Sequence, residues 1–136
     1  MPDAPGGQAM LRLMAWLSPA FPVGSFSYSH GLERAVHDGL ATDGEALREW
    51  IAALIGHGSG WNDAVLFAEA WKRGKAEETV DAVAELGIAL AGSAERFLES
   101  AAQGGAFGNA LAQTGAAVAL PPECPYCVAV GAHAGA

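Results

Sequence analysis

Charged residues are scarce in this chain of 136 residues, and basic ones are the scarcest. Only 16% of the residues are charged, where soluble domains usually carry about 25%. Seven Lys and Arg stand against 15 Asp and Glu, which gives a formal net charge of −8. The few cations are scattered along the chain, whereas a protein that binds nucleic acid needs a clustered basic face. The sequence therefore argues against a nucleic-acid partner, and an acidic membrane surface would repel the chain.

Long apolar runs and a secretory leader are also missing. No run approaches the roughly 18 apolar residues that a transmembrane helix needs. The first ten residues lack a basic segment followed by an apolar core, so we expect no secretory signal. With only two cysteines and no such signal, the predicted compartment is the cytoplasm.

Apolar residues, by contrast, make up 51% of the chain. This length suffices for one core, so we expect residues 1–136 to form a single domain. So much apolar surface with so little charge predicts a face that a protein partner covers. An Ala-rich helical protein without such a partner is the alternative.

The spacing of the apolar residues predicts an all-α fold, with about seven short helices in one bundle. Residues 1–8 are rich in Pro and Gly and are expected to form a flexible lead-in. A first helix should end before Pro19, and residues 19–24 cannot be helical throughout because they contain two prolines. Helix is predicted again over residues 25–38.

The other helix boundaries are predicted from capping residues and glycines. Gly39 should end the helix over residues 25–38, and Gly56, Gly58 and Gly60 should break another. A capping box of Thr42 and Glu45 and an N-cap at Asn62 are predicted to start two more helices. Further helices are predicted over residues 76–91, 93–103, 106–120 and 128–136.

The most informative segment lies between Trp16 and Glu33, where an apolar run meets Pro19 and Pro22 and a Gly-Ser step follows. It resembles the N-terminal signature of the urease accessory protein F (UreF) family. The residues that fall on that pattern are Leu17, Ser18, Phe21, Pro22, Val23, Gly24, Phe26, Ser29, Gly31, Leu32 and Glu33.

Three later segments resemble the same family in order. They run over residues 61–71, 95–104 and 126–131, and in the last of them Cys127 stands where the family usually has proline. Members of the family usually continue after the position of Gly131, the last residue of these segments, with several more helices and a C-terminal tail. The chain is therefore short at its C-terminus relative to the family, and we expect the faces of residues 106–120 and 128–130 to be left uncovered.

The resemblance implies an all-helical adaptor that is not an enzyme and has no cofactor or metal of its own. In this family the protein forms dimers and binds the accessory protein UreD, also called UreH. The pair recruits the GTPase UreG and engages apo-urease, and nickel insertion is coupled to GTP hydrolysis by UreG.

A partner-binding surface is predicted within the motif. Phe26 and Tyr28 are two residues apart at the start of a predicted helix, so they diverge by about 200° and cannot both face one core. Exposed aromatic side chains beside a rigid turn are good interface anchors. Phe21 is expected to pack mainly in the core. The predicted partner-binding residues are Phe21, Pro22, Gly24, Ser25, Phe26, Tyr28, His30 and Glu33.

A second interpretation rests on Cys124-Pro-Tyr-Cys127, the tetrapeptide of the glutaredoxin redox site. Such a fold needs strands around the motif, and no strand pattern is present, so a thiol oxidoreductase is the weaker alternative. Two cysteines are also too few for a tetrahedral zinc site. A reducible disulfide or two inert thiols are expected, and a generic helical interaction domain is the third possibility.

Neither the histidines nor the glycine-rich segment predicts a catalytic site. His30 and His37 are about 10.5 Å apart along a helix, too far to share a metal easily. His57 and His133 are isolated. Residues 104–108 are rich in glycine, but no Lys-Ser/Thr follows them, so they do not form a phosphate-binding loop.

Overall fold

The computed structural model describes residues 5–25 and 28–136, without the side chain of Pro5, and within them the fold is all-α as predicted. No strand occurs in these ranges. No helix among them is long and apolar enough to cross a membrane. The helices are α1 Pro5–Trp16, α2 Leu32–His37, α3 Gly44–His57, α4 Ser59–Lys75, α5 Asp81–Ala89, α6 Ala94–Ala112 and α7 Tyr126–Gly135.

Helix α7 is the centre of the core and packs chiefly against α4 and α6. Val128 and Ala129 are fully buried, and Val130 is nearly so. The expectation that residues 128–130 lack covering partners is therefore wrong, because α4 and α6 already cover them. Phe107 and Leu111, in the segment 106–120, are buried as well.

Glycines allow the backbones of α4 and α7 to approach each other closely. A methyl group at Gly131 would lie 2.5 Å from the carbonyl oxygen of Phe67, and one at Gly74 would lie 2.5 Å from that of Ala132. No side chain fits at such distances. These glycines let α4 and α7 bury their backbones against each other.

Several predicted helix starts are wrong. Helix α1 begins at Pro5, inside the predicted lead-in, because proline is preorganised for the first turn of a helix. Helix α2 begins at Leu32 rather than near residue 25, because His30 and Gly31 both have left-handed backbone angles, with φ of 49° and 80°. Gly39 does follow the helix in the left-handed conformation, with φ of 73°.

Helix caps also differ from their predicted positions. Asp43, not Thr42, caps α3, and its side chain accepts a hydrogen bond from the amide of Ala46 at 2.9 Å. Helix α4 begins at Ser59 after an extended Gly58, so Asn62 lies inside the helix instead of capping it.

The bounds of three further predicted helices also differ. The predicted helix over residues 76–91 is shortened to α5 because Glu77 is left-handed, with φ of 55°.

Ser93 caps α6 as predicted, accepting from the amide of Arg96 at 3.2 Å. The helix then continues through Gly104 and ends at Ala112, so the predicted helices over residues 93–103 and 106–120 are partly one helix.

Candidate partner-binding site

The turn between α1 and α2 is held by its own hydrogen bonds. The amide of Ala20 donates to Oγ of Ser18 at 3.2 Å, and the amide of Phe21 donates to the carbonyl oxygen of Ser18 at 2.9 Å. The amide of Val23 donates to the carbonyl oxygen of Phe21 at 2.8 Å, which closes a tight turn around Pro22. With φ fixed at two prolines, this segment has little conformational freedom left to lose on binding.

The inner side of the turn is anchored in the aromatic core. Phe21 packs against Phe107 with ring centroids 5.4 Å apart, and Val23 is buried. Trp16, Tyr126 and His133 contact Phe107 edge-on at centroid distances of 5.4 to 5.9 Å. Phe21 is thus half-buried and supports the turn from below, as expected of a residue that packs mainly in the core.

The outer side of the turn is exposed. Pro22, Gly24, Ser25 and Tyr28 all face solvent, and Tyr28 is 40% exposed. Gly24 has φ of 75°, and a methyl group there would meet no atom within 4 Å. Gly24 is therefore required for its backbone angle and not for a close approach.

Phe26 lies outside the described residues. Tyr28 is not in a helix, so the argument from helical divergence does not apply to it. Its amide donates to the carbonyl oxygen of Ser25 at 3.2 Å. A shallow groove of about 390 Å³ runs beside the turn and is lined by Leu17, Ser18, Pro19, Val23, Ser25, Tyr28 and Tyr126.

His30 and Glu33 are exposed as well, but His30 also reaches inward. Its Nε2 lies 3.6 Å from a carboxylate oxygen of Glu99 on α6. The next residue, Gly31, lies against the ring of Trp50, 3.6 Å from where its Cβ would be. The end of the loop before α2 therefore contacts two helices, α6 through His30 and α3 through Gly31.

Glu99 belongs to a polar network that sequence reasoning did not find. Nη1 of Arg96 donates to it at 3.2 Å, and Nε2 of Gln103 donates to it at 3.3 Å. Arg96 also pairs with Asp63 on α4. Burial lowers the pKa of Arg96, but the charges and hydrogen bonds of the two carboxylates outweigh this effect and raise it overall. The i, i+3 spacing of residues 96 and 99 was the available signal, and such spacing is too common to identify a network.

The two cysteines are free thiols, of which Cys124 is buried and Cys127 is half-buried. Burial, with a smaller contribution from the charge of Asp81, raises the pKa of Cys124 to about 12. Burial and the nearby Asp63 raise the pKa of Cys127 to about 12. A redox cysteine needs the opposite shift, because the thiolate is the nucleophile. Together with the all-α fold, this rules against the glutaredoxin-like interpretation.

The histidines do not converge on a common site. Among the described residues, no group of three or more His, Cys, Asp or Glu side chains could hold a metal ion. His133 is buried on α7, where Nδ1 lies 2.8 Å from the carbonyl oxygen of Ala129 and Nε2 accepts from the amide of Val118 at 3.2 Å. These partners assign it a neutral, structural role.

Comparison with known proteins supports the resemblance seen in the motif. A family model described as UreF matches residues 41–136. The urease accessory protein UreF of Mesorhizobium japonicum is 58% identical over 137 residues, which cover 99% of this chain and 61% of that protein. UreF 1 of Brucella abortus and UreF 1 of Brucella anthropi are each 59% identical, over 93% and 94% of this chain and 57% of their own length. No solved structure matches.

The chain thus spans about 60% of the length of the curated relatives it matches. The family model covers more than half of the chain, and the Mesorhizobium protein is similar along nearly all of it. The family name describes an accessory protein and not a catalytic enzyme. The chain belongs to the UreF family of urease accessory proteins.

Proposed function

We propose that the chain is a cytoplasmic adaptor in urease maturation, built as one UreF-like helical domain over residues 1–136. It binds a UreD-type scaffold and the GTPase UreG on apo-urease, and nickel is the cargo that this assembly inserts. Family membership supports this role. A homodimer is part of the proposal and is supported by the exposed apolar side chains on α1.

The docking surface for the UreD-type scaffold is the outer side of the turn that contains Pro22, Gly24, Ser25 and Tyr28. The observation that carries this assignment is that Phe21 and Val23 fix the turn from inside the core while the residues between and after them face solvent. An exposed loop on a rigid base binds with little loss of conformational entropy. Tyr28 is the aromatic anchor, and Phe26, His30 and Glu33 are assigned to the same surface.

The composition of the proposed docking surface suits binding to a protein rather than catalysis. Among the described residues, the surface offers the aromatic side chain of Tyr28, a proline ring and polar edges beside a shallow groove. Such a mixture is typical of interfaces, where a few aromatic residues supply most of the affinity. Hydrolysis of GTP is assigned to UreG, since residues 104–108 are helical and form part of the core packing.

The test is a binding experiment with a purified UreD-type protein, followed by addition of UreG. Tyr28→Ala is expected to weaken the complex at least about tenfold, because it removes the aromatic anchor. Trp71→Ala is the matched control, since Trp71 is a similarly exposed aromatic residue on α4, at 39% against 40% for Tyr28. Isothermal titration calorimetry measures both affinities.

Equal binding by wild type and Tyr28→Ala would overturn the assignment of the surface. A generic helical interaction domain predicts that the wild-type chain binds neither UreD nor UreG. Binding of the UreD-type protein and then of UreG by the wild-type chain would exclude that alternative.

A further inference from the structure

The carboxylate of Glu99 is buried, and several different side chains surround it instead of a single dedicated cation. The residue is 7% exposed, and its side chain faces Arg96, Gln103 and His30. A buried charge is costly unless it is paired and hydrogen-bonded. Arg96 shares its own charge with Asp63 on α4, and the imidazole of His30 lies against the carboxylate of Glu99 as a further polar partner.

The backbone at His30 also needs support. His30 has φ of 49°, and Gly31 follows with φ of 80°, so two left-handed residues in succession join the loop to α2. For a residue with a side chain, the left-handed region is sterically disfavoured. Such a conformation persists when neighbouring contacts impose it. The contact of His30 with Glu99 is the side-chain interaction that lies at this position.

We propose that Glu99 is a positioning residue for the segment 28–33, acting through His30 and held in place by Arg96 and Asp63. The carboxylate fixes the imidazole, the imidazole fixes the left-handed step, and that step sets the direction in which Tyr28 is presented. Glu99 itself is buried and does not touch a partner. The consequence for partner binding rests on the proposed function, whereas the positioning of the segment does not.

The test begins with the free protein, by hydrogen exchange resolved to single amides. The reporters are the amides of Tyr28 and Leu32, which donate to the carbonyl oxygens of Ser25 and Ser29 within the segment. The reference amides are those of Ala84 and Ala129 in the core, which donate to Val80 and Pro125. Glu99→Gln keeps the shape of the side chain and removes its charge.

We expect Glu99→Gln to speed exchange at Tyr28 and Leu32 at least about fivefold relative to the reference amides. Glu85→Gln on α5 is the control, because it makes the same chemical change at an exposed site. If Glu99→Gln only destabilised the whole fold, exchange at the reference amides would speed up equally. That outcome would overturn the proposal. Unchanged exchange at the two reporters would overturn it as well.

His30→Asn tests the same contact from its exposed end and leaves the buried network intact. Asn tolerates left-handed backbone angles but is too short to reach Glu99 as the imidazole does. It is expected to reproduce the local increase in exchange even if Glu99→Gln does not fold, and failure to do so would overturn the proposal.

Binding of the UreD-type protein then separates the two proposals. Faster local exchange with affinity reduced about fivefold supports both of them. Faster local exchange with unchanged affinity supports the positioning role of Glu99 and contradicts the assignment of the turn as the docking surface.

Discussion

Gly104 on α6 lies against the main-chain carbonyl of Cys124, so closely that a methyl group on Gly104 would overlap the carbonyl oxygen. The neighbouring Gly105 faces open space, with no atom within 4 Å of where its Cβ would be. Both glycines lie inside the same helix. The Cys-Pro-Tyr-Cys segment therefore packs directly on the glycine-rich segment of α6.

This pair of glycines gives a prediction with an internal control. Gly104→Ala should lower the free energy of unfolding by about 1–3 kcal/mol through overpacking, or more if the segment around Cys124 is displaced. Gly105→Ala should raise it by roughly 0.5–1 kcal/mol, because alanine favours helix over glycine. Urea unfolding followed by circular dichroism measures both. Equal effects of the two substitutions would contradict the close contact.

Gly24→Val should weaken the complex with a UreD-type protein while most of the helicity is kept. Valine is strongly disfavoured at φ of 75°, so the turn must change its path. Gly115→Val is the matched control, because Gly115 has φ of 76° and equally open surroundings in the loop after α6. Size-exclusion chromatography of the mixtures shows complex formation, and an unchanged complex with Gly24→Val would argue against the turn as the docking surface.

Replacing both cysteines should leave function intact. A Cys124→Ala, Cys127→Ala double variant introduced into a full-length UreF protein is expected to support urease activation, because the raised pKa values keep both thiols protonated near pH 7. Some stability is expected to be lost at Cys124, which is buried. Loss of activation in a variant that is still folded would assign the thiols a functional role.

His133 should make the fold less stable in mild acid. Burial lowers the pKa of His133 from its ordinary value of 6.5, while the hydrogen bond to Ala129 opposes the shift. In the unfolded chain the imidazole takes up a proton near pH 6.5, and in the folded chain it does so only at lower pH. The unfolded state therefore binds more protons in this window, and the free energy of unfolding falls as the pH drops below 6.5.

The slope in that window is at most about 1.4 kcal/mol per pH unit for one group, and the effect levels off below the folded pKa. Urea unfolding at several pH values measures it. His133→Gln should reduce the pH dependence, whereas His57→Gln, at an exposed helix end, should not. A pH dependence that is the same in wild type and His133→Gln would show that other groups cause it.

The chain should associate with itself through α1. Met10, Leu11 and Met14 are 59%, 67% and 64% exposed, which leaves an apolar stripe on one helix. Met14→Glu should reduce the association seen by analytical ultracentrifugation. Gln8→Glu adds the same charge to the same helix without removing apolar surface and should have a smaller effect. A wild-type chain that sediments as a monomer at all concentrations would contradict the prediction.

The exposed apolar surface lies on α1 and not on the helices for which the sequence predicted it. The sequence led us to expect uncovered faces over residues 106–120 and 128–130, yet Phe107, Val128 and Val130 are among the most deeply buried side chains. Apolar periodicity shows that a helix has an apolar face, but it does not show which of several such helices takes the centre of the bundle. Helix α7 takes it because its glycines and alanines let α4 approach.

Features that depend on neighbouring residues were determined by the sequence alone. The prolines stop α1 and shape the turn, Ser93 caps α6 through its own hydroxyl, and Gly39 takes the left-handed angle that ends α2. The motif around Pro22 identified the family, and the helical periodicity gave the all-α class. Each of these depends on bonds within a few residues, so the local sequence carries the information.

Only the tertiary structure decided the features that depend on distant partners. Gly104 stays helical because Cys124 covers it, whereas the sequence around it predicts a break. Asp63, Arg96, Glu99 and His30 come from three separate segments, and no spacing in the sequence indicates that these segments meet. The left-handed angle at His30 and its contact with Glu99 likewise exist only in the folded chain. Burial and ion pairing act between surfaces that the fold brings together, so these contacts were decided by packing and could not be read from periodicity.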